Sequence, residues 1–302
     1  MTFCDAITAA SDRITSLRWL DLGSIMHSTV TAVNSLILAD GQRSDAVQQA
    51  NPSRTANPGR TDGVIVPDIT VAIPVYNEVA TVVELLQRVI DESTPKDIVI
   101  VDDGSTDGTL VRLEEWKKGW DTSDRPVHVR QIILLKHSVN LGKGAAIRTA
   151  LLEAKAQYLI VQDADLEVSP DEYPWLLKPL LAGEADIVVG YRSHSGRSTR
   201  LSHGAGIWLL NLLVRILYGV SIRDEACCFK VLKVSDLMRM KLDCNRFEFC
   251  PEVIAKAARL KLRFAEIPVA YEPRDSNGGK KLKLRDGLQA IWTLWKYQRW
   301  NA

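Results

Sequence analysis

Residues 158–170, YLIVQDADLEVSP, run four apolar side chains straight into Asp163, Asp165 and Glu167, carboxylates at every second position. In an extended chain alternate side chains project to one side, so the three acids would converge just past the end of a strand. Like charges that close repel and raise one another's pKa. A divalent cation removes that penalty, and an all-oxygen donor set suits Mg2+ or Mn2+ rather than Zn2+. An isolated D-x-D serves equally well as a solvated acidic loop ahead of a helix, here one opened by Ser169 and Pro170 as cap and first turn. The rest of the chain has to decide between the two.

Other segments carry comparable chemistry. PVYNE (74–78) offers Tyr76 to stack on or flank a base and Glu78 to bind a base or ribose, or it is a turn capped by Asn77. In DDGSTDGT (102–109), Ser105, Thr106 and Asp107 read as helix caps and the glycines relieve a turn, which leaves Asp102 and Asp103 to accept hydrogen bonds from a ribose or base edge. NLGKG (140–144) sets Lys143 between two glycines at a helix start, where backbone amides and an ammonium suit a phosphate. Neither G-x-x-x-x-G-K-[ST] nor a G-x-G-x-x-G after the first strand is present, so the common NTPase and dinucleotide fingerprints fail.

The elements that position these segments begin at residue 67. Short β-branched runs at 69–75, 98–101, 131–135, 158–161 and 186–190 alternate with apolar residues at helical spacing. Strict alternation of strand and helix implies an α/β fold, a Rossmann-like and mainly parallel sheet with helices on both faces. Ligands of such sheets bind beyond the carboxyl ends of the strands, where PVYNE, DDGSTDGT, DADLE and GYR (190–192) all fall. Four such loops at one edge favour a site over a coincidence of solvated turns.

Composition sets outer bounds. The 302 residues are 46% hydrophobic and 25% charged with a net charge of +1, an ordinary globular balance with no global reason to bind nucleic acid. Five cysteines without C-x-x-C spacing and scattered histidines read as reduced cytosolic thiols and no zinc. Nothing resembles a signal peptide. Residues 1–66 form an N-terminal extension, polar and aperiodic over 40–63 and expected to be largely disordered. The domain that follows, 67–302, ends in an amphipathic helix.

PVYNE, VDDGSTDGT, NLGKGAAIRTAL and QDADLEVSP, in this order and spacing, resemble the inverting GT-A (family 2) glycosyltransferases of the dolichyl-phosphate mannosyltransferase type. The resemblance runs on through VGYR, CCFKVLK (227–233), RFEFCPEV (246–253), EIPVAYEPR (266–274) and GGKKLKLRDGLQAIW (278–292), and covers roughly residues 69–297. It implies that Pro74, Tyr76, Glu78, Asp102 and Asp103 line a nucleoside pocket, and that Asp163 and Asp165, helped by Glu167, hold Mg2+ or Mn2+ on the donor diphosphate. It implies further that Arg192, Arg200, Arg274 and Lys280 bind donor diphosphate or acceptor phosphate, Arg192 and Arg200 on the acceptor side and Arg274 closing over the donor. Cys227 and Cys250 depart from the family pattern, and the second of these leaves Glu252 as the sole carboxylate at its position.

The implied reaction is metal-dependent, inverting transfer of a sugar from a nucleotide diphosphate sugar to a polyprenyl phosphate at the cytosolic membrane face, with Asp163, Asp165 and Arg274 at the reacting centre. A phosphate acceptor is largely dianionic at neutral pH and needs no general base; a sugar or protein hydroxyl, the alternative acceptor, would. Residues 204–220 are apolar on nearly every face yet contain Arg215, and 284–300 set Leu288, Ile291, Trp292 and Trp295 at helical spacing near Lys296 and Arg299. Both suit helices lying at a membrane interface, and equally helices packed on the protein's own sheet; a phosphate acceptor on a lipid favours the first. The expectation is a peripheral membrane protein of the cytoplasm, with a separate membrane subunit as a further partner.

Overall fold

The computed structural model describes residues 68–122, 125–193, 201–273 and 284–302. The chain divides into two units, 1–56 and 57–302, and every described residue belongs to the second. The N-terminal extension expected over 1–66 lies outside the described residues, as do Arg200, Arg274 and Lys280.

The five apolar runs form β1 (Ile69–Val75), β2 (Lys96–Asp102), β3 (Val129–Lys136), β4 (Tyr158–Val161) and β5 (Ile187–Ser193). Between them the helical periodicities form α1 (Val82–Asp91), α2 (Thr109–Asp121), α3 (Lys143–Leu152) and α4 (Tyr173–Leu181). The remainder supplies α5 (Leu201–Tyr218), β6 (Lys230–Lys233), α6 (Val234–Met240), α7 (Phe249–Arg259), β7 (Phe264–Ala270) and α8 (Leu284–Lys296).

The seven strands make one sheet in the order β3-β2-β1-β4-β6-β5-β7. All pairings are parallel except those of β6, which runs antiparallel to β4 and to β5. The sequence reading missed β6: KVLK is too short to show a period, and lysines bracket its two apolar residues. Its insertion separates β4 from β5 but leaves both pointing the same way, so their carboxyl ends still share an edge with those of β1 and β2.

Alternation along each strand explains why both faces are covered. Val71, Ile73, Ile98, Ile100, Ile160 and Val188 pack against α1, α2 and α4 on one side, with Leu85, Leu86, Leu113 and Tyr173 fully buried. Ala72, Val99, Val101, Leu159, Val161 and Val189 face the other side, against α3, α5, α6, α7 and α8. Continuous β-branched runs are what a sheet buried on two faces requires.

Candidate active site

The acids beyond β4 sit on a turn rather than an extended strand. Residues 164–167 bend, Leu166 takes a left-handed φ of 62°, and the Glu167 amide donates to the Asp165 carboxylate at 3.2 Å. The convergence expected from strand pleat is therefore replaced by a turn that spreads the three carboxylates along the wall of one cleft, shared with Arg192, Cys228 and Tyr271. Tyr271 donates to Glu167 at 3.2 Å and bridges Val168, and the Glu272 amide donates to the Glu167 carbonyl at 2.9 Å. The chain leaving β7 is thus stitched to the acid turn, two residues before Arg274.

Among the described residues, the one group of three acid or thiol ligand atoms within 4.8 Å of one another lies elsewhere, at Asp243, Cys244 and Glu252. Its oxygens are already occupied. Buried Glu252 accepts from the amides of Asp243 and Cys244 and from Lys256 at 2.6–2.9 Å, and Asp243 accepts from Lys296 and from the Tyr297 hydroxyl. That knot fastens α7 to the chain before it and to α8, which is what Glu252 does here.

Lys143, read from the sequence as a phosphate ligand at a helix start, places its ammonium 2.6 Å and 2.8 Å from the two oxygens of Asp163. Burial works to lower its pKa, but the Asp163 carboxylate together with the Cys250 and Cys228 thiols more than offsets this and holds the ammonium above the usual lysine range. The surrounding amides have other work. Those of Leu141 and Gly142 donate to Asp103 at 2.9 Å and 2.7 Å, and that of Ala145 to the Asn245 carbonyl at 3.0 Å. The glycines answer a packing need: a Cβ on Gly142 or Gly144 would come within 2.4 Å or 2.5 Å of the backbone oxygens of Asn245 and Cys244. Charge, rather than a nest of open amides, is what this loop brings to the cleft.

At the nucleoside side, the loops after β1 and β2 are welded together. Asn77, at φ 56°, donates its amide to Ser105 Oγ and accepts from the Thr106 amide at 2.8 Å; the Glu78 amide donates to Thr109 Oγ1 at 2.9 Å, and that of Val79 to Asp107. Asn77 is thus a cross-link between loops rather than a local cap. The two adjacent acids part company. Asp103 is consumed by structure, accepting the Leu141 and Gly142 amides and facing His137 Nδ1 at 2.7 Å, whose Nε2 meets Thr149. Asp102 is equally buried, but only its Oδ2 accepts, from the Ser105 amide at 3.1 Å; its Oδ1 has no partner. Pro74, the penultimate residue of β1, and Tyr76, just past its end, stand at the same edge, half-buried.

Arg192 lines the cleft at the end of β5, held by Asp224, which accepts from Nε at 2.6 Å and Nη2 at 2.8 Å, and it stacks on the Tyr271 ring at 5.3 Å. Burial works against its charge and the Asp224 pair more than restores it. Asp224, His137 and Tyr271 were not singled out from the sequence. Asp224 and His137 act through partners 32 and 34 positions away, which no local pattern reveals.

Residues 70–240 match the glycosyl transferase family 2. A dodecaprenyl-phosphate galacturonate synthase of Rhizobium johnstonii is 26% identical over 226 residues, 74% of this chain and 64% of its own. A dolichyl-phosphate beta-glucosyltransferase of Trichomonas vaginalis is 28% identical over 234 residues, 72% of this chain and 68% of its own. The chain thus spans about two thirds of the length of these relatives. The solved glucosyl-3-phosphoglycerate synthase of Mycobacterium tuberculosis, in complex with Mn2+, UDP-glucose and phosphoglyceric acid, superposes with a TM-score of 0.57 at 20% identity, covering 80% of this chain and 87% of that one. The fold is shared with these enzymes, and because the family match spans more than half its length, the chain belongs to glycosyl transferase family 2 and carries a glycosyltransferase domain of the GT-A fold.

Proposed function

We propose that this glycosyltransferase moves a sugar, with inversion, from a nucleotide diphosphate sugar to a polyprenyl phosphate at a membrane surface. The observation that carries the acceptor is an apolar face. Helices α5 and α8 pack side by side and leave Trp208, Ile216, Leu288, Trp292 and Trp295 about half exposed. Among the described residues no helix is long and apolar enough to cross a membrane. Tryptophans on adjacent helices with Arg215 and Lys296 nearby suit the interface between headgroups and acyl chains. The face lies close to the chemistry: the loop 243–246 that contacts α8 through Lys296 also packs against Gly142 and Gly144, which flank Lys143. The relatives, by name, act on dodecaprenyl and dolichyl phosphates, which agrees with this reading.

Asp102 Oδ1, buried without a partner, fits a nucleoside: an unpaired buried carboxylate oxygen is costly, and a base N–H or ribose hydroxyl would satisfy it. Asp163, Asp165 and Glu167 give the cleft hard oxygen donors that fit Mg2+ or Mn2+, held against the donor diphosphate. When bound, the ion stabilises the negative charge that develops on the departing diphosphate. This chain's own residues do the rest. Lys143 adds a positive charge beside Asp163, the Asn77 and Asp103 networks fix the loops that frame the nucleoside, and Arg192 on the cleft wall attracts the acceptor phosphate. Arg200, Arg274 and Lys280 keep the phosphate-binding roles expected of them, Arg274 closing over the donor, as does the peripheral, cytosolic location. The phosphate dianion attacks the anomeric carbon as the diphosphate leaves from the opposite side, and no proton has to be removed.

The test is transfer from a panel of radiolabelled nucleotide sugars, with and without polyprenyl phosphate in liposomes. An acid-labile lipid product made by the wild type, absent in chelator and absent in Asp165→Asn, is expected. Efficient transfer to a soluble hydroxyl acceptor with none to the lipid refutes the acceptor, and full turnover by Asp165→Asn in chelator refutes the metal.

A further inference from the structure

One of the acids that line the cleft already holds a cation. Both oxygens of Asp163 are engaged by the Lys143 ammonium, and the pair is largely shielded, with 17% and 25% of the two side chains exposed. Arg192 cannot serve the acids in the same way, because Asp224 takes it in a two-point pair. Of the three carboxylates on the cleft wall, Asp163 is therefore already neutralised by the Lys143 ammonium. An ion arriving at Asp163 would meet a carboxylate already neutralised, and a like charge within about 3 Å of it. An ion arriving with a diphosphate meets a different balance, because the phosphate oxygens offer the ammonium a new partner.

We propose that Lys143 is an exchangeable counterion that guards Asp163 against bare divalent cations and is handed from Asp163 to the donor diphosphate when the nucleotide and its metal enter together. The flexible four-carbon stem of lysine, carrying a compact charge, allows such a handover. The anchoring of the loop confines it to the side chain: Gly142 and Gly144 are packed against the backbone of 244–246, and Asp103 clamps the Leu141 and Gly142 amides, so the backbone on either side of Lys143 stays put. This assigns Lys143 as a positioning residue that couples two ligands, and it rests on the metal reading above.

Two affinities measured on the full-length protein test it. Bare Mn2+ binding, read from loss of the free-ion electron paramagnetic resonance signal, should be weak in the wild type and tighter by about tenfold in Lys143→Gln, within the range usual for coupled sites. Binding of UDP or GDP in saturating Mn2+, read by calorimetry, should move the other way and weaken by about tenfold or more in the same variant. Lys143→Arg keeps the charge and should leave bare Mn2+ binding as weak as in the wild type. A residue that merely holds the fold would weaken both affinities, and a simple phosphate ligand would weaken only the second; either pattern overturns the proposal. Failure of any variant or wild type to bind Mn2+, with UDP or GDP bound equally well in chelator, instead removes the metal reading and the proposal with it. If Lys143→Gln does not fold, the wild type still decides: bare Mn2+ as tightly bound as Mn2+ in the presence of nucleotide would refute the handover.

Discussion

Replacing Glu225 by glutamine should make the protein more stable in neutral and alkaline solution and remove part of its pH dependence. Glu225 is 1% exposed, in the segment that leads from Asp224, the partner of Arg192, to the cysteines on the cleft wall, and its Oε1 has no hydrogen-bond partner. Burial raises its pKa to about 7; Lys230 opposes this and Asp224 adds to it. Lys230 cannot fully compensate, because its ammonium is turned to the carbonyls of Glu225 and Cys227 at 2.9 Å and 2.6 Å. The sign follows from proton binding. Below about 4.5, the unfolded value, the group is protonated in both states. Between there and about 7 the unfolded chain loses its proton while the folded chain keeps it, so stability falls as pH rises; above about 7 both are ionised and the full cost persists. A displacement from 4.5 to about 7 corresponds to about 3 kcal/mol, a sizeable part of the 5–15 kcal/mol typical of a folded domain. Urea unfolding of wild type and Glu225→Gln at several pH values from 5 to 8.5 measures it. The two should agree most closely at the acid end and diverge by up to about 3 kcal/mol in favour of the variant at the alkaline end. Parallel curves would show that Glu225 titrates normally and that the burial argument is wrong.

Four other variants probe the loops and the apolar face. Asp103→Ala strands two amides and His137, and should cost about 3 kcal/mol or more in urea unfolding; a loss below about 1 kcal/mol would mean that the clamp is dispensable. Gly142→Ala puts a Cβ 2.4 Å from the Asn245 oxygen at φ 106° and should cost about 3 kcal/mol, whereas Gly183→Ala, at φ 68° with open space around it, should cost only about 1 kcal/mol; equal losses would refute the close-packing account. The double variant Trp292→Ser and Trp295→Ser should lower co-sedimentation with anionic vesicles by about tenfold or more without changing nucleotide affinity, and unchanged partition would mean that this face serves something other than lipid.

Much of the fold was legible in the residues because its signals are local. A strand buried on both faces needs an unbroken β-branched run, and helices between such runs need apolar residues at helical spacing, so β1 to β5 and α1 to α4 stand out without any long-range information. The same holds for the acids of 163–167 and for the loops after β1 and β2, whose composition is out of place in a strand or helix. Tertiary structure alone decided what each charged group is committed to. Asp102 and Asp103 are adjacent and chemically identical, yet one is spent on amides 38 and 39 residues away and the other keeps an open oxygen, because only the strand ends bring the 140–144 loop beside Asp103. Lys143 and Arg192 look alike in sequence as phosphate ligands, but α3 delivers the first to Asp163 and a distant loop delivers Asp224 to the second. Charge pairing depends on distance through space, to which a sequence of residues carries no local clue once partners lie more than a helical turn or two apart.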